Sequence, residues 1–437
     1  MVRSPARYSS RLTSTTRQRS NVARPATFFG RVRAAWRGVG LRLLGMGIGT
    51  VVAVGALVAM QLPLLHPAAA VTVNVGSLPL HATVQHPHWP SQGEAAIVIP
   101  QLGVTQSTSS ALLPIASLTK MMTAYVVLAK LPLQLGQTGP CLVVNAADVS
   151  AFQSMKSSYQ SSVAVAAGER LCEADLLRGL LVHSASNYAA MLANLAWGSQ
   201  NAFIAQMNAV ATALGMVGTH YSDVSGYRAT NVSTASDQGR LAAILMANPV
   251  FAADVNNTSV VLPVAGRVSS YTPFVGSFGV IGVKSGRTQA AGGCDVMATM
   301  MTYEGRPTLV IAVVLNQRGG DLLGPAGVAA IALTQSVTPV SIVAIVHRNT
   351  VIGRVQWAGK ETALVVRRGL QLRPAWAPLG SGSATYSYKV ALDHFSRPLR
   401  PGASVGSLTV RSGNKTHTRV VAVRDAIGPA TLWQDLR

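Results

Sequence analysis

Hydrophobic and polar positions from residue 95 to 335 alternate between two periods. Ala95 to Pro100 is a short unbroken apolar run, which predicts a strand. A Gly/Ser/Thr-rich loop leads from it into Pro114-Ile115-Ala116-Ser117-Leu118-Thr119-Lys120-Met121-Met122-Thr123-Ala124-Tyr125, a set of good helix formers with few breakers before Pro132. Pro114 suits the first turn of that helix, where its missing N–H would go unpaired in any case. Leu142-Val143-Val144 and Val163-Ala164-Val165 predict short strands joined by a polar segment. Acidic residues cluster in Gly168-Glu169-Arg170-Leu171-Cys172-Glu173-Ala174-Asp175, and apolar residues then recur at helical spacing through Leu180, Leu181 and Val182. A second helical run covers Tyr188 to Trp197, a third covers 201–216 and a fourth covers Asp237 to Met246. Residues 258–264, 278–283, 293–301 and 308–315 predict strands, with a last helix near 322–334. Helices in the middle and strands at both ends predict an α+β layout, an antiparallel sheet flanked by helices.

Two other regimes bracket this one. Residues 339–437 alternate apolar and polar in short segments separated by Gly/Pro/Ser turns, which predicts a small all-β domain over 337–437. Upstream, 66–92 is rich in Pro, His, Ala and Val, and His86-Pro87-His88-Trp89-Pro90 opposes regular structure, so this segment is expected to be a stalk. Leu43 to Leu62 carries no charge across twenty residues. As a helix it is about 30 Å long, enough to cross a bilayer core. The expected order is a basic disordered arm (1–42), a transmembrane anchor (43–65), a stalk (66–92), the α+β domain (93–336) and the β-rich domain (337–437).

Charge sharpens the first part of that picture. Only 12% of the 437 residues are charged, the net charge is +21, and just seven of the basic residues are lysines. Residues 1–42 hold ten arginines and no acid, and the first acidic residue is Glu94. Such an arm alone would suit nucleic acid. Lying before an apolar span, it instead predicts a cytoplasmic N-terminus against anionic lipid, a single-pass protein of the cell membrane, and export of everything after about residue 66. No nucleic-acid partner is expected. The competing reading is a cleaved signal peptide ending near Ala68-Ala69-Ala70, but its charged and apolar regions exceed the usual lengths. Three cysteines allow at most one internal disulfide, and Cys141 and Cys172 are the expected pair because each bounds a short apolar run flanking one insertion. Cys294 reads as a buried strand residue. Neither the cysteines nor the nine scattered histidines have metal-ligand spacing, so no metal and no cofactor is expected.

Chemistry enters with Ser117 and Lys120. Three apart on a helix, both side chains emerge on one face. A serine hydroxyl becomes a nucleophile when an amine can take its proton, and burial or a second cation lowers a lysine pKa toward that task. The spacing alone is weak, since Ser412 and Lys415 repeat it in a turn. Lys284-Ser285-Gly286-Arg287-Thr288, after a strand ending at Val283, offers a fixed cation, a hydroxyl and a glycine that admits a substrate backbone. Ser184, between two helices, can bridge amines or serve as a helix cap.

In this order the three groups resemble the serine DD-peptidases and penicillin-binding proteins, which read Ser-x-x-Lys, Ser-x-Asn, then Lys-Thr/Ser-Gly. The chain is most similar to the low-molecular-mass D-alanyl-D-alanine carboxypeptidases (peptidase family S11). Pro114 to Lys120, Gly168 to Leu181, Leu214-Gly215-Met216, and Gly282 to Gly293 carry the likeness, which spans about residues 90–335. It implies a DD-peptidase/β-lactamase-like catalytic domain over 93–336. It also implies that Ser117 attacks the carbonyl between the terminal D-alanines of a peptidoglycan stem peptide while Lys120 accepts its proton. Ser184 then passes the proton to the leaving amine. Lys284, Ser285 and Gly286 hold the substrate with Ser186, and the N–H groups of Ser117 and Arg287 form the oxyanion hole. β-Lactams are implied as covalent inhibitors.

Two departures stand out. The second motif has Ser186 where Asn is expected, with Asn187 one position on, and a hydroxyl has fewer donors than an amide. Arg318 is the nearest candidate for an arginine that binds the substrate carboxylate. Ser186 motivates an alternative, a catalytically weakened wall-binding scaffold, while DD-endopeptidase activity would use the same residues. A class A β-lactamase needs a glutamate between the second and third motifs. This chain has Asp223, Asp237 and Asp254 there and no glutamate.

Overall fold

The computed structural model describes residues 72–428, apart from 77, 79, 358, 382–385, 395–397 and 414. The expected arm (1–42) and anchor (43–65) lie outside the described residues. No helix among the described residues is long and apolar enough to cross a membrane.

An eight-stranded sheet organises the α+β part. Its order is Val280–Thr288, Gly292–Tyr303, Arg306–Gln317, Glu94–Ile99, Val104–Ser107, Ala82–Val84, Ile342–Val346, Leu370–Leu372. All neighbours are antiparallel except Ala82–Val84 with Val104–Ser107. The central strands read as unbroken apolar runs because both faces are covered, so successive side chains enter different cores. Leu309, Ile311, Val313 and Leu315 face the helical core, and Val310, Ala312 and Val314 face the opposite one. Helices Thr119–Lys130, Glu173–Val182, Ser186–Trp197, Gln200–Ala213 and Ala235–Leu245 supply the first core, and Leu323–Gln335 supplies the second. The expected α+β arrangement is therefore observed.

The helix bearing the first motif starts later than expected. Leu113–Pro114 forms a two-residue bridge with Val232–Ser233, a 3-10 turn spans Ala116–Leu118, and the α-helix begins at Thr119. Val163 and Val165 are buried but not in a strand. The Asn187 side chain donates to the Val163 carbonyl at 2.8 Å and accepts from its N–H at 3.0 Å, replacing a partner strand. The polar segment before them is a helix, Ala146–Ser157, opened by an Asn145/Asp148 capping box.

The stalk and the downstream boundary need correction. Thr72–Val75 pairs with Val351–Trp357, and Ala82–Val84 enters the large sheet, where the Gln106 side chain accepts from the Val84 N–H at 2.9 Å. Leu78, Ala82 and Val84 are apolar and bury; only 86–90 obeys the Pro/His break. Beyond residue 336, Ile342–Val346 and Leu370–Leu372 hydrogen-bond into the eight-stranded sheet, and Ile342, Ala344 and Val346 share its second core. The separate β-rich element is a six-stranded antiparallel sheet: Thr72–Val75, Val351–Trp357, Lys360–Val366, Lys415–Val423, Ser404–Ser412, Ser387–Leu392. Cys141 and Cys172 form the expected disulfide, opposite one another in a two-stranded ladder, and Cys294 is free and buried.

Candidate active site

Ser117 is half-buried in the 3-10 turn, after Ala116 in a left-handed conformation (φ 47°) that turns the chain sharply into the helix. Two close approaches fix this corner. A Cβ on Gly286 would lie 2.6 Å from the Ser117 nitrogen, so the Val280–Thr288 strand edge lies against the backbone of the serine. A Cβ on Gly226 (φ 84°) would collide with the Ala116 carbonyl. Both positions require glycine for space.

The Lys120 amine donates to Ser117 Oγ at 2.8 Å and to the Ser225 carbonyl at 2.8 Å. Lys120 is 1% exposed. Burial holds its pKa well below the usual lysine range, Lys284 adds to that shift, and Asp223 opposes it. An amine that is neutral part of the time, in contact with a hydroxyl, can act as its base.

Sequence reasoning missed the segment that holds the Ser225 carbonyl. Asp223 is a hub whose carboxylate accepts from the N–H groups of Ser225 (2.7 Å), Gly226 (2.6 Å), Tyr227 (3.3 Å) and Arg228 (2.8 Å), the Ser225 hydroxyl (3.0 Å) and the Asn231 amide (2.8 Å). Burial alone would push its carboxyl up, but the N–H donors and Asn231 prevail and hold it below the usual range. The available signal was Asp223-x-Ser225-Gly226, an acid able to accept from the backbone just ahead of it.

Lys284 is wholly buried and donates to the Ser285 carbonyl at 2.8 Å. Burial lowers its pKa to about 7, and Asp295 pulls it back up. Asp295 lies opposite Ser285 in the neighbouring strand and is 0% exposed; among the described residues neither carboxylate oxygen has a hydrogen-bond partner. Burial raises its pKa well above the ordinary value, against the charge of Lys284. Burial thus drives both groups toward neutrality and their mutual attraction offsets only part of it.

The remaining predicted residues divide. Ser184, 3% exposed and in a left-handed conformation (φ 60°) between two helices, lines a cavity of about 500 Å³ with Ser117, Ser285, Gly286 and Arg287. Ser285 donates to the Tyr271 carbonyl at 2.8 Å. Ser186 opens the Ser186–Trp197 helix, donates its N–H to the Ser161 carbonyl at 2.8 Å, and lines a second cavity of about 860 Å³ with Ser117, Ser225 and Arg287. The Arg287 guanidinium donates to the Asp321 carbonyl at 2.8 Å. Asn187 does not replace the expected amide, because its side chain clamps Val163. Arg318 donates to the carbonyls of Gln289 (2.8 Å) and Ala290 (3.2 Å), two residues that line the second cavity.

Residues 104–319 match the family model of D-alanyl-D-alanine carboxypeptidases. A D-alanyl-D-alanine endopeptidase of Escherichia coli K12 is 34% identical over 198 residues, 43% of this chain and 60% of its own. The D-alanyl-D-alanine carboxypeptidase DacA of the same organism is 33% identical over 112 residues, 25% of this chain and 27% of its own. The chain thus spans no more than 60% of these curated relatives. Penicillin-binding protein 5 of Haemophilus influenzae superposes with a TM-score of 0.53 over 78% of this chain and 99% of its own at 17% identity, a likeness of fold alone. Residues 104–319, which hold a serine in hydrogen-bond contact with a buried lysine and a second buried lysine on a sheet strand, are thus similar to the D-alanyl-D-alanine carboxypeptidase family.

Proposed function

We propose that the protein is a serine-type DD-peptidase acting on D-alanyl bonds of peptidoglycan stem peptides through an acyl-enzyme. The observation that carries this is the 2.8 Å contact from the buried Lys120 amine to Ser117 Oγ. In this mechanism Ser117 Oγ attacks the D-alanyl carbonyl as Lys120 takes its proton. The C–N bond breaks, and the proton reaches the leaving amine by way of Ser184. Water then hydrolyses the ester, releasing the shortened peptide and restoring Ser117. The N–H groups of Ser117 and Arg287 face the developing oxyanion, and one such donor is worth about 10²–10³ in rate. Lys284 and Ser285 hold the leaving side.

The carboxypeptidase reading suggested by sequence has an endopeptidase competitor, which a specific observation favours. Arg318, the candidate clamp for a terminal carboxylate, is committed to Gln289 and Ala290, and cavities adjoin Ser117 on two sides. The test measures three things on the wild type and Ser117→Ala: labelling by fluorescent penicillin, D-alanine release from a pentapeptide, and cleavage of a cross-linked peptide dimer. Labelling of the wild type alone is expected, with dimer cleavage exceeding D-alanine release. An unlabelled wild type that releases neither product overturns the proposal.

We further propose single-pass anchoring by 43–65 with the catalytic part outside the cell. The uncharged run after ten arginines and the Cys141–Cys172 disulfide support this. Loss of the protein from washed membranes on carbonate treatment would refute it.

A further inference from the structure

The basic residues of the β-rich part gather where no acid balances them. Residues 337–428 hold thirteen lysines and arginines against three acids, Glu361, Asp393 and Asp425. Glu361 pairs with Arg354 at 3.3 Å, and Asp425 accepts from the Thr362 hydroxyl at 3.2 Å, so both stand at the start of the Lys360–Val366 strand. Asp393 follows the edge strand Ser387–Leu392. Past the other end of Lys360–Val366, roughly 15–20 Å along the strand direction, Arg367, Arg368 and Arg419 line a cavity of about 510 Å³ with Gly369, Thr418 and Val420. No aspartate or glutamate lines it, and among the described residues no acid pairs with any of the three arginines.

Backbone contacts hold this cavity in shape. The Arg367 N–H donates to the Val420 carbonyl at 3.1 Å, which ties the bend after one strand to the neighbouring strand Lys415–Val423. Arg419 is half-buried; its Nε donates to the Gly369 carbonyl at 3.2 Å and its Nη1 to the Thr418 carbonyl at 2.9 Å. Both acceptors are neutral, so the guanidinium is fixed in place and keeps its full charge. Gly369 is pressed against the chain behind it, where a Cβ would lie 3.0 Å from the Val346 carbonyl oxygen. Three like charges kept around one space repel one another, and an entering anion relieves that cost. Guanidinium forks match the oxygens of carboxylates and phosphates, and three forks suit a group bearing more than one negative charge better than a lone carboxylate.

We propose that Arg367, Arg368 and Arg419 form a binding site for a phosphate monoester or pyrophosphate group. None of the residues lining it lines either cavity beside Ser117, so the inference stands apart from the peptidase reading. The site holds the protein to a phosphate-bearing component and takes no part in bond breaking. Such a group can be lipid-borne or carried by a soluble molecule, and the recognition chemistry is the same for both.

The test is calorimetric titration of the full chain in detergent with inorganic pyrophosphate and with acetate at matched ionic strength. Pyrophosphate is expected to bind at least about tenfold more tightly than acetate. Arg367 and Arg368 are exposed, so the double variant Arg367→Ala/Arg368→Ala should melt like the wild type and bind pyrophosphate about tenfold more weakly. Arg367→Lys/Arg368→Lys keeps the charge but loses the forks, and its affinity should fall between the two. Lys389→Ala, an exposed cation outside the cavity, should change nothing. Pyrophosphate binding no tighter than acetate, unchanged in the double alanine variant, or weakened as much by Lys389→Ala overturns the site. Short-chain phosphatidic acid as a further titrant identifies the source: binding that the double alanine variant loses assigns a lipid-borne phosphate, and pyrophosphate binding without it assigns a soluble carrier.

Discussion

Two aspartates, Asp223 half-buried and Asp295 fully buried, neighbour the two buried lysines of the site, and the fold treats them in opposite ways. Asp223 sits in a loop that turns six donors, four of them backbone N–H groups, toward one carboxylate, and its charge is stabilised in place. Asp295 sits in a strand whose N–H groups are committed to the ladder, and its carboxylate finds no hydrogen-bond partner among the described residues. Loops can aim backbone donors at a charge; sheets spend theirs on neighbouring strands. The difference gives each lysine its surroundings. Lys120 is gripped by a carbonyl of the Asp223 loop, whereas Lys284 shares an unsolvated space with an acid that has little reason to ionise except the lysine.

The sharpest way to break this comparison is Asp223→Ala. Losing the carboxylate leaves several donors unpaired and frees the Ser225 carbonyl from its position on Lys120. A stability loss of about 3–5 kcal/mol is expected, as for a buried charge network stripped of its centre. Acylation should fall at least about 10²-fold, as a misplaced catalytic group does. Denaturant unfolding together with stopped-flow penicillin acylation measures both. A variant that unfolds like the wild type and acylates normally would make the hub irrelevant.

Asp295→Leu should act with the opposite sign on stability. Removing a buried carboxyl that has no hydrogen-bond partner among the described residues lifts a desolvation cost of about 1–3 kcal/mol, offset in part at neutral pH by the attraction that Lys284 loses. The pH dependence follows from the shift. Asp295 has a raised folded pKa, so its contribution to stability is complete below the unfolded value of 3.8 and is lost as pH rises toward the folded one. The advantage of Asp295→Leu should therefore shrink as pH falls toward 4. Lys284 loses the attraction that holds its pKa up to about 7, so it deprotonates at lower pH. If a charged Lys284 is needed to hold substrate, the alkaline limb of the acylation profile moves to lower pH. A profile with an unmoved alkaline limb would separate the two groups functionally.

A smaller effect is expected where the strand edge touches the nucleophile. Gly286→Ala places a methyl 2.6 Å from the Ser117 nitrogen and 3.1 Å from its Cα, both backbone atoms that cannot swing aside. Acylation should slow by about ten- to a hundred-fold and the melting temperature should fall, since the backbone must shift to admit the methyl. An unaltered acylation rate would show that the edge and the turn are free to separate.

The sequence already showed the features that are local. The central strands are visible because a sheet covered on both faces leaves an unbroken apolar run, as in Leu309 to Leu315. Ser117 and Lys120 share one turn, and Lys284 to Gly286 are consecutive. What stayed hidden depends on distant backbone. Asp223 acts through N–H groups that carry no side-chain signature. Asn187 reads as a spare amide for the cleft, but its partner is Val163, twenty-four residues upstream, and nothing in its own neighbourhood says so. Thr72–Val75 and Ala82–Val84 are too short to show a period, and their strands exist because 351–357, 342–346 and 104–107 offer edges to them.

The second motif is where sequence and geometry leave the most to gain. Ser186 opens a helix that its N–H already ties to Ser161, so its side chain, not its backbone, is free to change function. It lines the larger cavity beside Ser117 and Ser225, so a longer side chain extends into space rather than into the core. Ser186→Asn adds an amide with two donors where the hydroxyl has one. An added hydrogen bond to a bound peptide, worth about 0.5–1.5 kcal/mol, raises kcat/KM by roughly two- to ten-fold. Asn187 cannot supply this, because its amide holds Val163, and Asn187→Ala is expected to loosen the cleft wall instead of altering substrate contacts. The pair therefore separates two roles for adjacent positions: a gain in kcat/KM with unchanged stability at 186, and a loss of stability at 187. If Ser186→Asn lowers turnover and Asn187→Ala leaves the melting temperature alone, the assignment of these two side chains is reversed.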